Sequence, residues 1–342
     1  MIRIRDIAAK LELSRVTVSA ILNDRYKKLG ISEKTAERVR ACADEMGYLP
    51  NKNALSMKQG RSMTIGILSS ALAEGWGAKI LIGALSAIKK TPYSLRIEAV
   101  QGADEEKMGL ESLLGSRIEG LFCCNINPTP ETDAFFKTAT ERYGVAVAST
   151  NCAFSFSHRR VESDNAKAQE LLMRHLVDLG HTRIAHIGGD PISEASRERA
   201  EAFRACLQSF GLDPTHCPIL LSDWESEKAR EQAHTLLQAV DRPTAITCAN
   251  DTIAASVLQV AQALKIPVPE ALSVVGMSNE RISTLTTPQI TTVDLPGEAI
   301  GHAGITALID AIENRKTHPK KGAERIRCAT VFRESTGPAA QG

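Results

Sequence analysis

The stretch from Leu13 to Asn23 constrains the fold of this chain more strongly than any other part of the sequence. Near its start lies Ser14, whose hydroxyl is suited to capping the first turn of a helix. After this cap, Val18, Ile21 and Leu22 recur at helical spacing, so they share one buried face. The opposite face carries side chains that are short or form hydrogen bonds. Such a face can lie against a nucleic-acid backbone without steric conflict.

A second short helix is predicted just upstream, over residues 6–11, with Ile7, Ala8 and Leu11 facing inward. Two short helices joined by a turn of a few residues are typical of a helix-turn-helix, whose second helix enters the major groove of DNA. An ordinary helical hairpin on a protein surface has the same local pattern. The residues that follow must therefore decide between the two interpretations.

The distribution of charge favours the DNA-binding interpretation. Residues 1–62 contain 13 Lys and Arg residues against 7 Asp and Glu residues, which gives +6. The rest of the chain contains 28 against 33, which gives −5, so the overall charge of +1 conceals a basic head on an acidic body. A basic segment of this kind is typical of phosphate binding, whereas a merely solvated charged face would not explain the asymmetry.

Short motifs in residues 1–62 resemble, in the same order, the DNA-binding head of the LacI/GalR family of bacterial transcription regulators. The resemblance extends along essentially the whole chain and is densest in this head. It implies a helix-turn-helix DNA-binding domain over 1–48 and a hinge helix or linker over 49–62. A third helix is predicted to begin at Ser32 and to end at Gly47. The motifs are Ile4–Ala8, Ser14–Ser19, Leu22–Asn23, Ile31–Thr35, Arg38–Val39 and Gly47–Asn51.

The resemblance also implies which side chains of the head meet DNA. The positions that read bases in the family fall on Arg15, Val16 and Ala20. Arg15 can donate two hydrogen bonds to a guanine, and Val16 can contact a thymine methyl group. Ala20 departs from the family, which usually has Arg there. The positions that contact phosphates in the family fall on Ser14, Thr17, Ser19, Asn23, Ser32 and Thr35.

Residues 50–60 resemble the hinge helix of the family, which orders only when two subunits dock on DNA; a plain linker is the alternative. A helix this short is marginal in isolation. Met57 falls where the family usually has a Leu that wedges into the minor groove, and a Met can also unstack a base step. The loop over 24–30 is longer and more basic than the usual connection and can add phosphate contacts. The hinge residues expected at the minor groove are Asn51, Ala54, Leu55 and Met57.

The length of 342 residues leaves about 280 residues after the head, which is enough for two lobes. The N-terminus lacks an apolar signal core and no apolar run approaches a membrane span, so we expect a cytoplasmic protein. The eight Cys residues form no CxxC pair and are expected to be reduced core thiols. We expect neither a metal nor a cofactor, because His175, His181 and His186 do not have the spacing of a tetrahedral site.

Strand and helix patterns alternate from residue 62 onward, first over 64–149 and then over 165–277. This order predicts an α/β class in which an all-α helix-turn-helix head precedes a body of mostly parallel sheets covered by helices. The two series resemble the two-lobed periplasmic sugar-binding fold, in which the chain crosses between lobes three times. The resemblance implies an N-terminal lobe of 63–161 and 291–317, and a C-terminal lobe of 162–290 and 318–342.

Ligands of open α/β sheets bind beyond the carboxyl ends of the strands, so the cleft between the lobes is the expected effector site. Arg197 matches the effector-gripping Arg of the family, although an ion pair with a neighbouring acid is the alternative. Trp224 resembles an aromatic position that stacks on a sugar, and core packing is equally open. The family usually has an Asp pair after the strand that ends at Gly276, whereas this chain has Met277-Ser278-Asn279. The expected effector contacts are Trp76, Asp164, Arg197, Trp224, Asn250 and Ser278.

Three functions are compatible with these features to different degrees. We expect a sequence-specific DNA-binding transcriptional repressor that binds a pseudo-palindromic operator as a homodimer and responds to a small effector, a sugar or sugar derivative. A dimer is expected rather than a tetramer because no heptad tail precedes Gly342. A sugar-binding transport protein without DNA function is the alternative. An enzyme is not expected, because no nucleophile elbow, P-loop or dinucleotide motif occurs.

Overall fold

The computed structural model describes residues 2–48, 60–72, 75–152, 154–156, 159–314 and 322–340. The chain divides into two compact units, Met1–Ser62 and Met63–Gly342. Among the helices in the described ranges, none combines the length and the apolar character that crossing a bilayer would require.

The first unit is a three-helix domain whose helices begin at the hydroxyl caps in the sequence. The side chain of Ser14 accepts a hydrogen bond of 3.0 Å from the backbone of Thr17. The side chain of Ser32 accepts one of 3.2 Å from the backbone of Thr35. Small aliphatic side chains and Tyr26 form the core, and the predicted helix-turn-helix is confirmed. Its elements are α1 (Ile4–Leu11), α2 (Arg15–Leu22), a 3₁₀ helix (Tyr26–Leu29) and α3 (Glu33–Glu45).

The second unit alternates strands and helices along most of its length. Its strands are β1 (Thr64–Ser69), β2 (Ser94–Ala99), β3 (Gly120–Cys124), β4 (Ala146–Thr150), β5 (Arg159–Ser163), β6 (Ile184–Gly188), β7 (Ile219–Leu221), β8 (Ala245–Cys248), β9 (Ser273–Val275), β10 (Thr292–Asp294), β11 (Ala323–Ile326) and β12 (Ala329–Val331). Its α-helices are α4 (Gly75–Ile88), α5 (Gly102–Gly115), α6 (Pro130–Tyr143), α7 (Asn165–Asp178), α8 (Glu194–Phe210), α9 (Ser226–Gln238), α10 (Asp251–Ala263) and α11 (Gly297–Glu313).

The strands form two parallel sheets, one in each lobe of the body. The sheet of the first lobe has six strands in the order β11-β5-β4-β3-β1-β2, and the sheet of the second lobe has four in the order β7-β6-β8-β9. A separate antiparallel pair joins β10 to β12. The predicted class, an α/β body with two lobes of parallel sheet behind a helical head, is confirmed.

Helices cover both faces of each sheet because the strands are apolar on both sides. In the first lobe, α4 and α11 pack on one face, and α5 and α6 pack on the other. In the second lobe, α7 and α8 cover one face, and α9 and α10 cover the other. The helices cover the faces of the sheets and not the carboxyl ends of the strands, beyond which ligands of open α/β sheets bind.

The lobe boundaries drawn from the sequence differ from the strand pairing at two places. The sequence assigns 318–342 to the second lobe, but β11 pairs in parallel with β5 in the six-stranded sheet. That assignment is wrong for β11, since β5 would otherwise be an edge strand with unpaired backbone groups. The sequence assigns 291–317 to the first lobe, yet Thr291 bridges Val275 and β10 pairs with β12. The chain therefore passes between lobes after β5, β10 and β11.

Candidate nucleic-acid interface and ligand cleft

Helix α2 presents two candidate base-reading side chains to solvent. Arg15 is exposed at its first position, and Val16 beside it is 72% exposed. Because the buried stripe of α2 is formed by Val18 and Ile21, these two residues point away from the core of the unit. A guanidinium and an isopropyl group on one exposed face can together read a guanine and a neighbouring thymine.

The hydroxyl groups expected at phosphates lie at the N-termini of two helices. The Ser14 and Thr17 hydroxyls lie 2.8 Å apart at the start of α2, and those of Ser32 and Thr35 lie 2.9 Å apart at the start of α3. A helix N-terminus favours an anion through its exposed N–H groups and its dipole. Both helix starts therefore carry donors that suit phosphate oxygens.

Two further residues expected at DNA are engaged within α2 itself. Asn23 ends the helix and donates a hydrogen bond of 2.6 Å to the backbone oxygen of Ser19. The same amide also donates a longer hydrogen bond of 3.4 Å to the Ser19 hydroxyl, so the Asn23 side chain is held beside the helix end and its phosphate contact stays a prediction. Ser19 is half-buried on the same side.

Ala20 lies in a groove beside α2. It is 4% exposed, and the backbone N–H of Arg25 donates a hydrogen bond of 2.8 Å to its carbonyl oxygen. At this position a methyl group is the only side-chain contact available to a base, so direct reading by Ala20 stays a prediction. The groove has a volume of about 660 Å³ and is lined by Ile4, Arg15, Val16, Ser19, Ala20, Arg25, Lys28 and Leu29.

The four hinge residues predicted at the minor groove lie outside the described residues. They are Asn51, Ala54, Leu55 and Met57.

The structure separates two arginines that the sequence places two positions apart on α8. Arg197, the predicted effector contact, is exposed and donates a hydrogen bond of 2.6 Å to the backbone oxygen of Ile192. Arg199 is 5% exposed and donates a hydrogen bond of 3.0 Å from Nε to the Asn165 side chain and one of 2.5 Å from Nη1 to the Ala249 backbone oxygen. Arg199 therefore points into the second lobe, where a ligand would lie, and Arg197 points outward.

The sequence carries a signal that distinguishes these two arginines. Ser196, Arg199 and Phe203 are buried and recur at helical spacing, so they share the inner face of α8. Arg197 is off this stripe. The resemblance to a short motif identifies this helix but not which of its faces points inward. For this reason the sequence indicated Arg197 and not Arg199.

Trp224 stands against Arg199 at the edge of the second-lobe core. The guanidinium carbon of Arg199 lies 5.8 Å from the centre of the Trp224 ring, within the range of a cation–π contact. The ring packs directly over Gly189, where an added Cβ would lie 2.3 Å from it. Only glycine leaves room for this ring. A ligand ring can stack its apolar face on the Trp224 ring while its polar groups accept hydrogen bonds from the neighbouring guanidinium.

Asn250 and Asp251 have different roles at the start of α10: the Asn250 amide can face a ligand, and Asp251 is structural. The Asn250 oxygen caps the helix by accepting a hydrogen bond of 2.8 Å from the backbone of Ile253, so its amide group is the part that can face a ligand. Asp251 is fully buried and accepts hydrogen bonds of 2.6 Å from the Thr292 hydroxyl and from the Glu280 backbone. Burial raises the pKa of Asp251 to about 7. Asp251 therefore holds β10 and the residues after β9 in place.

Glu280 is a cleft residue that the sequence analysis did not single out. It is 8% exposed, and its carboxylate lies beside the start of α4 in the first lobe, where a Cβ added at Gly75 would be 3.1 Å from it. Burial raises the pKa of Glu280, while the nearby charges of Lys79 and Arg199 oppose that rise. The signal in the sequence is that Glu280 is the first acidic residue after β9.

Ser278 contacts the first lobe through its backbone rather than its side chain. The Lys79 ammonium donates hydrogen bonds of 2.9 Å to the carbonyl oxygens of Ser278 and Asn279, and one of 3.1 Å to the Asp294 carboxylate. Ser278 itself is 3% exposed and has φ 103°, a conformation that a side chain other than glycine adopts only under strain. Its hydroxyl contact with an effector stays a prediction.

Trp76 and Asp164 complete the predicted cleft residues. Trp76 is 5% exposed, and its indole Nε1 is buried without a hydrogen-bond partner among the described residues. A buried donor without an acceptor is costly, so this N–H suits a ligand oxygen. Asp164 caps α7 through the backbone of Lys167 at 3.0 Å and lies 3.7 Å from Arg325, at the first crossover between lobes. No group of His, Cys, Asp or Glu in the described ranges could hold a metal ion.

Two family profiles match separate parts of the chain. Residues 3–51 match the profile described as bacterial regulatory proteins, lacI family. Residues 173–336 match the profile described as periplasmic binding protein-like domain. The first match covers the helix-turn-helix unit, and the second covers the second lobe with α11 and the final strands.

Curated relatives and solved structures match nearly the whole chain. The ribose operon repressor of Escherichia coli (strain K12) is 27% identical over 339 residues, which cover 98% of this chain and 99% of that protein. The transcriptional repressor PurR of Aliivibrio salmonicida (strain LFI1238) is 27% identical over 319 residues, which cover 92% and 93%. The lac repressor dimer bound to operator and the anti-inducer ONPF has the same fold, with a TM-score of 0.87 at 23% identity over 98% of this chain and 99% of that chain.

Proposed function

The chain belongs to the LacI family of bacterial regulatory proteins, and on that premise we propose that it represses transcription as a homodimer whose hold on operator DNA is set by a small effector. The observation that carries the proposal is the joining of a basic helix-turn-helix unit to a body with two parallel sheets, in which the polar side chains of Arg199, Asn250 and Glu280 are buried. The curated relatives are repressors rather than enzymes, and we assign no catalytic activity. Its place of action is the cytoplasm, where chromosomal DNA is accessible.

On the operator, α2 lies in the major groove of each half-site. Arg15 donates to the N7 and O6 atoms of a guanine, Val16 contacts a thymine methyl group, and Ala20 admits a second methyl group into the groove beside α2. The phosphates on either side are held at the two capped helix starts, by Ser14 and Thr17 and by Ser32 and Thr35. Ser19 and Asn23 add contacts with the sugar-phosphate backbone of the DNA. The twofold symmetry of the dimer demands a pseudo-palindromic operator.

In the body, the effector lies between the lobes against Arg199, Trp224, Trp76 and Asn250. Arg199 replaces Arg197 in this proposal, because only Arg199 faces inward. The Trp224 ring suits the apolar face of a sugar, and the Arg199, Asn250 and Trp76 donors suit its oxygens. The name of the relative from E. coli connects that protein with a ribose operon. We infer a carbohydrate or a carbohydrate derivative for this chain, with Ser278 and Asp164 at the margin of the site.

Effector binding acts by favouring one arrangement of the two lobes. Lys79, through hydrogen bonds, and Glu280, through packing beside Gly75, each bridge α4 of the first lobe to the residues after β9 in the second. A ligand that binds more tightly to the lobe arrangement with these bridges, or to the one without them, changes operator affinity. A coupling free energy of about 1–3 kcal/mol between effector and operator binding changes that affinity by about 5- to 150-fold. A transport protein without DNA function would leave the basic first unit without a role.

Exposed apolar side chains mark the proposed dimer face. Ile82 is 53% exposed and Leu85 49% exposed on α4, Ile97 is 38% exposed on the edge strand β2, and Met108 is 67% exposed on α5. These elements neighbour one another around β1 and β2 at one end of the six-stranded sheet. Apolar residues that gather at one edge of a lobe are typical of a permanent interface between copies.

The test is a selection of duplexes from a random pool by the purified full-length protein, followed by a screen of metabolites for those that alter binding to the selected duplex. A symmetric preferred sequence and at least one active carbohydrate are expected. A protein that prefers no duplex over bulk DNA, with or without metabolites, would contradict the proposal.

A further inference from the structure

We infer that the segment Arg25–Leu29, which forms the 3₁₀ turn between α2 and α3, is a second DNA-binding element, in which Arg25 and Lys28 each contact a backbone phosphate. The inference rests on the proposed function and extends it to residues outside the helix-turn-helix. Its starting point is the groove of about 660 Å³ beside α2, because Arg15 and Val16 of α2 and Arg25, Lys28 and Leu29 of the turn all line it. A DNA strand whose bases Arg15 contacts therefore lies close to the side chains of the turn that line the same groove.

The turn is fixed to the rest of the unit and does not need to be ordered by DNA. Tyr26 is 5% exposed, and its hydroxyl donates to the Glu33 carboxylate at 2.8 Å. The Arg40 guanidinium lies 5.2 Å from the centre of the Tyr26 ring. The backbone N–H of Arg25 is bonded to Ala20 on α2 at 2.8 Å. A preorganised turn loses little entropy when it binds.

The charges of Arg25 and Lys28 are uncompensated within the described part of the unit. Both side chains are exposed, and neither makes an ion pair or hydrogen bond among the described residues 2–48. Other basic residues nearby are neutralised, since Lys10 lies 2.9 Å from Glu45 and Arg40 lies 2.7 Å from Asp24. Because Asp24 is paired with Arg40, it does not cancel the charge of its neighbour Arg25.

The chemistry of the groove fits a nucleic-acid strand. Two cations of one turn that line the groove suit phosphates, and Leu29, which is 59% exposed and lines the same groove, suits the apolar carbon face of a deoxyribose. An acidic protein segment would satisfy the cations but would not need the base-reading Arg15 in the same groove. The arrangement therefore points to the operator backbone as the occupant.

The test measures the salt dependence of binding by the full-length protein to the duplex that the wild-type protein selects from a random pool. Each phosphate contact adds about 0.9 to the slope of log affinity against log salt concentration. We expect R25A and K28A each to reduce that slope by about 0.9 and the double variant by about 1.8, while the order of preference among duplexes is kept. Circular dichroism checks that each variant is folded.

Lys27 provides a matched control on the same turn. Its ammonium lies 5.9 Å from the centre of the Tyr26 ring and outside the groove. K27A removes the same charge and should leave the slope nearly unchanged. A wild-type slope in the double variant, or an equal loss in K27A, would overturn the inference while leaving the proposed function intact. A wild-type protein that selects no duplex would overturn both.

Discussion

The ammonium group of Lys79 in the first lobe donates a hydrogen bond of 2.9 Å to the backbone oxygen of Ser278 in the second. A second contact joins the same elements, because the Glu280 carboxylate of the second lobe packs beside Gly75 at the start of α4. Each lobe thus offers both a charged side chain and backbone groups to the other. These reciprocal contacts connect the cleft with the arrangement of the lobes.

Replacing Lys79 by Met should destabilise the body by about 1–3 kcal/mol, because the Asp294 carboxylate and two carbonyl oxygens lose their donor. The effect should appear as a lower melting temperature of the effector-free protein and as an altered ratio of operator affinities with and without effector. The control is Lys167→Met, which removes only an exposed pair with Glu170 and should change stability by less than about 0.5 kcal/mol. Equal melting temperatures for both variants would contradict the interpretation of Lys79 as a bridge.

Arg199→Ala should abolish the effector response, whereas Arg197→Ala should keep it. Arg199 is buried against Trp224, whereas Arg197 is exposed and donates to the backbone oxygen of Ile192, just before its own helix. The measurement is operator affinity with and without the active metabolite from the screen. Since Arg199 also donates to Asn165 and Ala249, the melting temperature must be followed as well. Loss of response in Arg197→Ala with an unaltered response in Arg199→Ala would restore the prediction made from the sequence.

The two arginines illustrate what the sequence could and could not predict. The helix that bears them follows from local spacing, and so do the capped starts of α2 and α3 at Ser14 and Ser32. Which side chain of α8 faces the ligand depends on the packing of that helix against α7. The family motif identified the helix, but only the burial of Ser196 and Phe203 identifies its inner face.

The pairing of strands that lie far apart in the chain is the second feature that the sequence could not predict. Strand β11 has only four residues, with a charged Glu-Arg pair at its centre, and its sequence does not indicate which lobe it joins. Its place is decided by the free edge of β5, more than 150 residues earlier in the chain. Glu280 was missed for a similar reason, since Glu280 and its neighbour Gly75 lie on different lobes and are brought together only by folding.

Arg15→Ala should relax the base preference at one position of each half-site, at a cost of about 1–3 kcal/mol. The reason is the loss of a bidentate contact to guanine. Duplex selection with the variant measures the preference directly. Arg5→Ala is the control, because Arg5 lies 3.4 Å from Asp6 at the start of α1 rather than on α2. A variant that selects the same base at every position would remove Arg15 as a base reader.

The buried carboxyl of Asp251 should make the protein less stable as pH rises. Burial raises its pKa from 3.8 to about 7, so the folded state holds a proton that the unfolded state has released between these values. The free energy of unfolding therefore falls across this range, by roughly 1–4 kcal/mol from this group. Asp251→Asn should flatten the fall, since an amide can accept from Glu280 and donate to Thr292. Denaturant titrations at several pH values measure this; an unchanged pH dependence would contradict the assignment.

Leu85→Glu should convert the dimer to monomers. Leu85 is 49% exposed on α4 beside Ile82, on the face proposed to bury against a second copy. An unpaired carboxylate in an apolar interface costs several kcal/mol, which corresponds to at least a hundredfold weaker dimerisation. Sedimentation velocity over a range of concentrations measures the change, and operator affinity should fall with it because two heads no longer bind together. Val240→Glu is the matched control, since Val240 is fully exposed at 101% after α9. A dimer of unchanged affinity in Leu85→Glu would place the interface elsewhere.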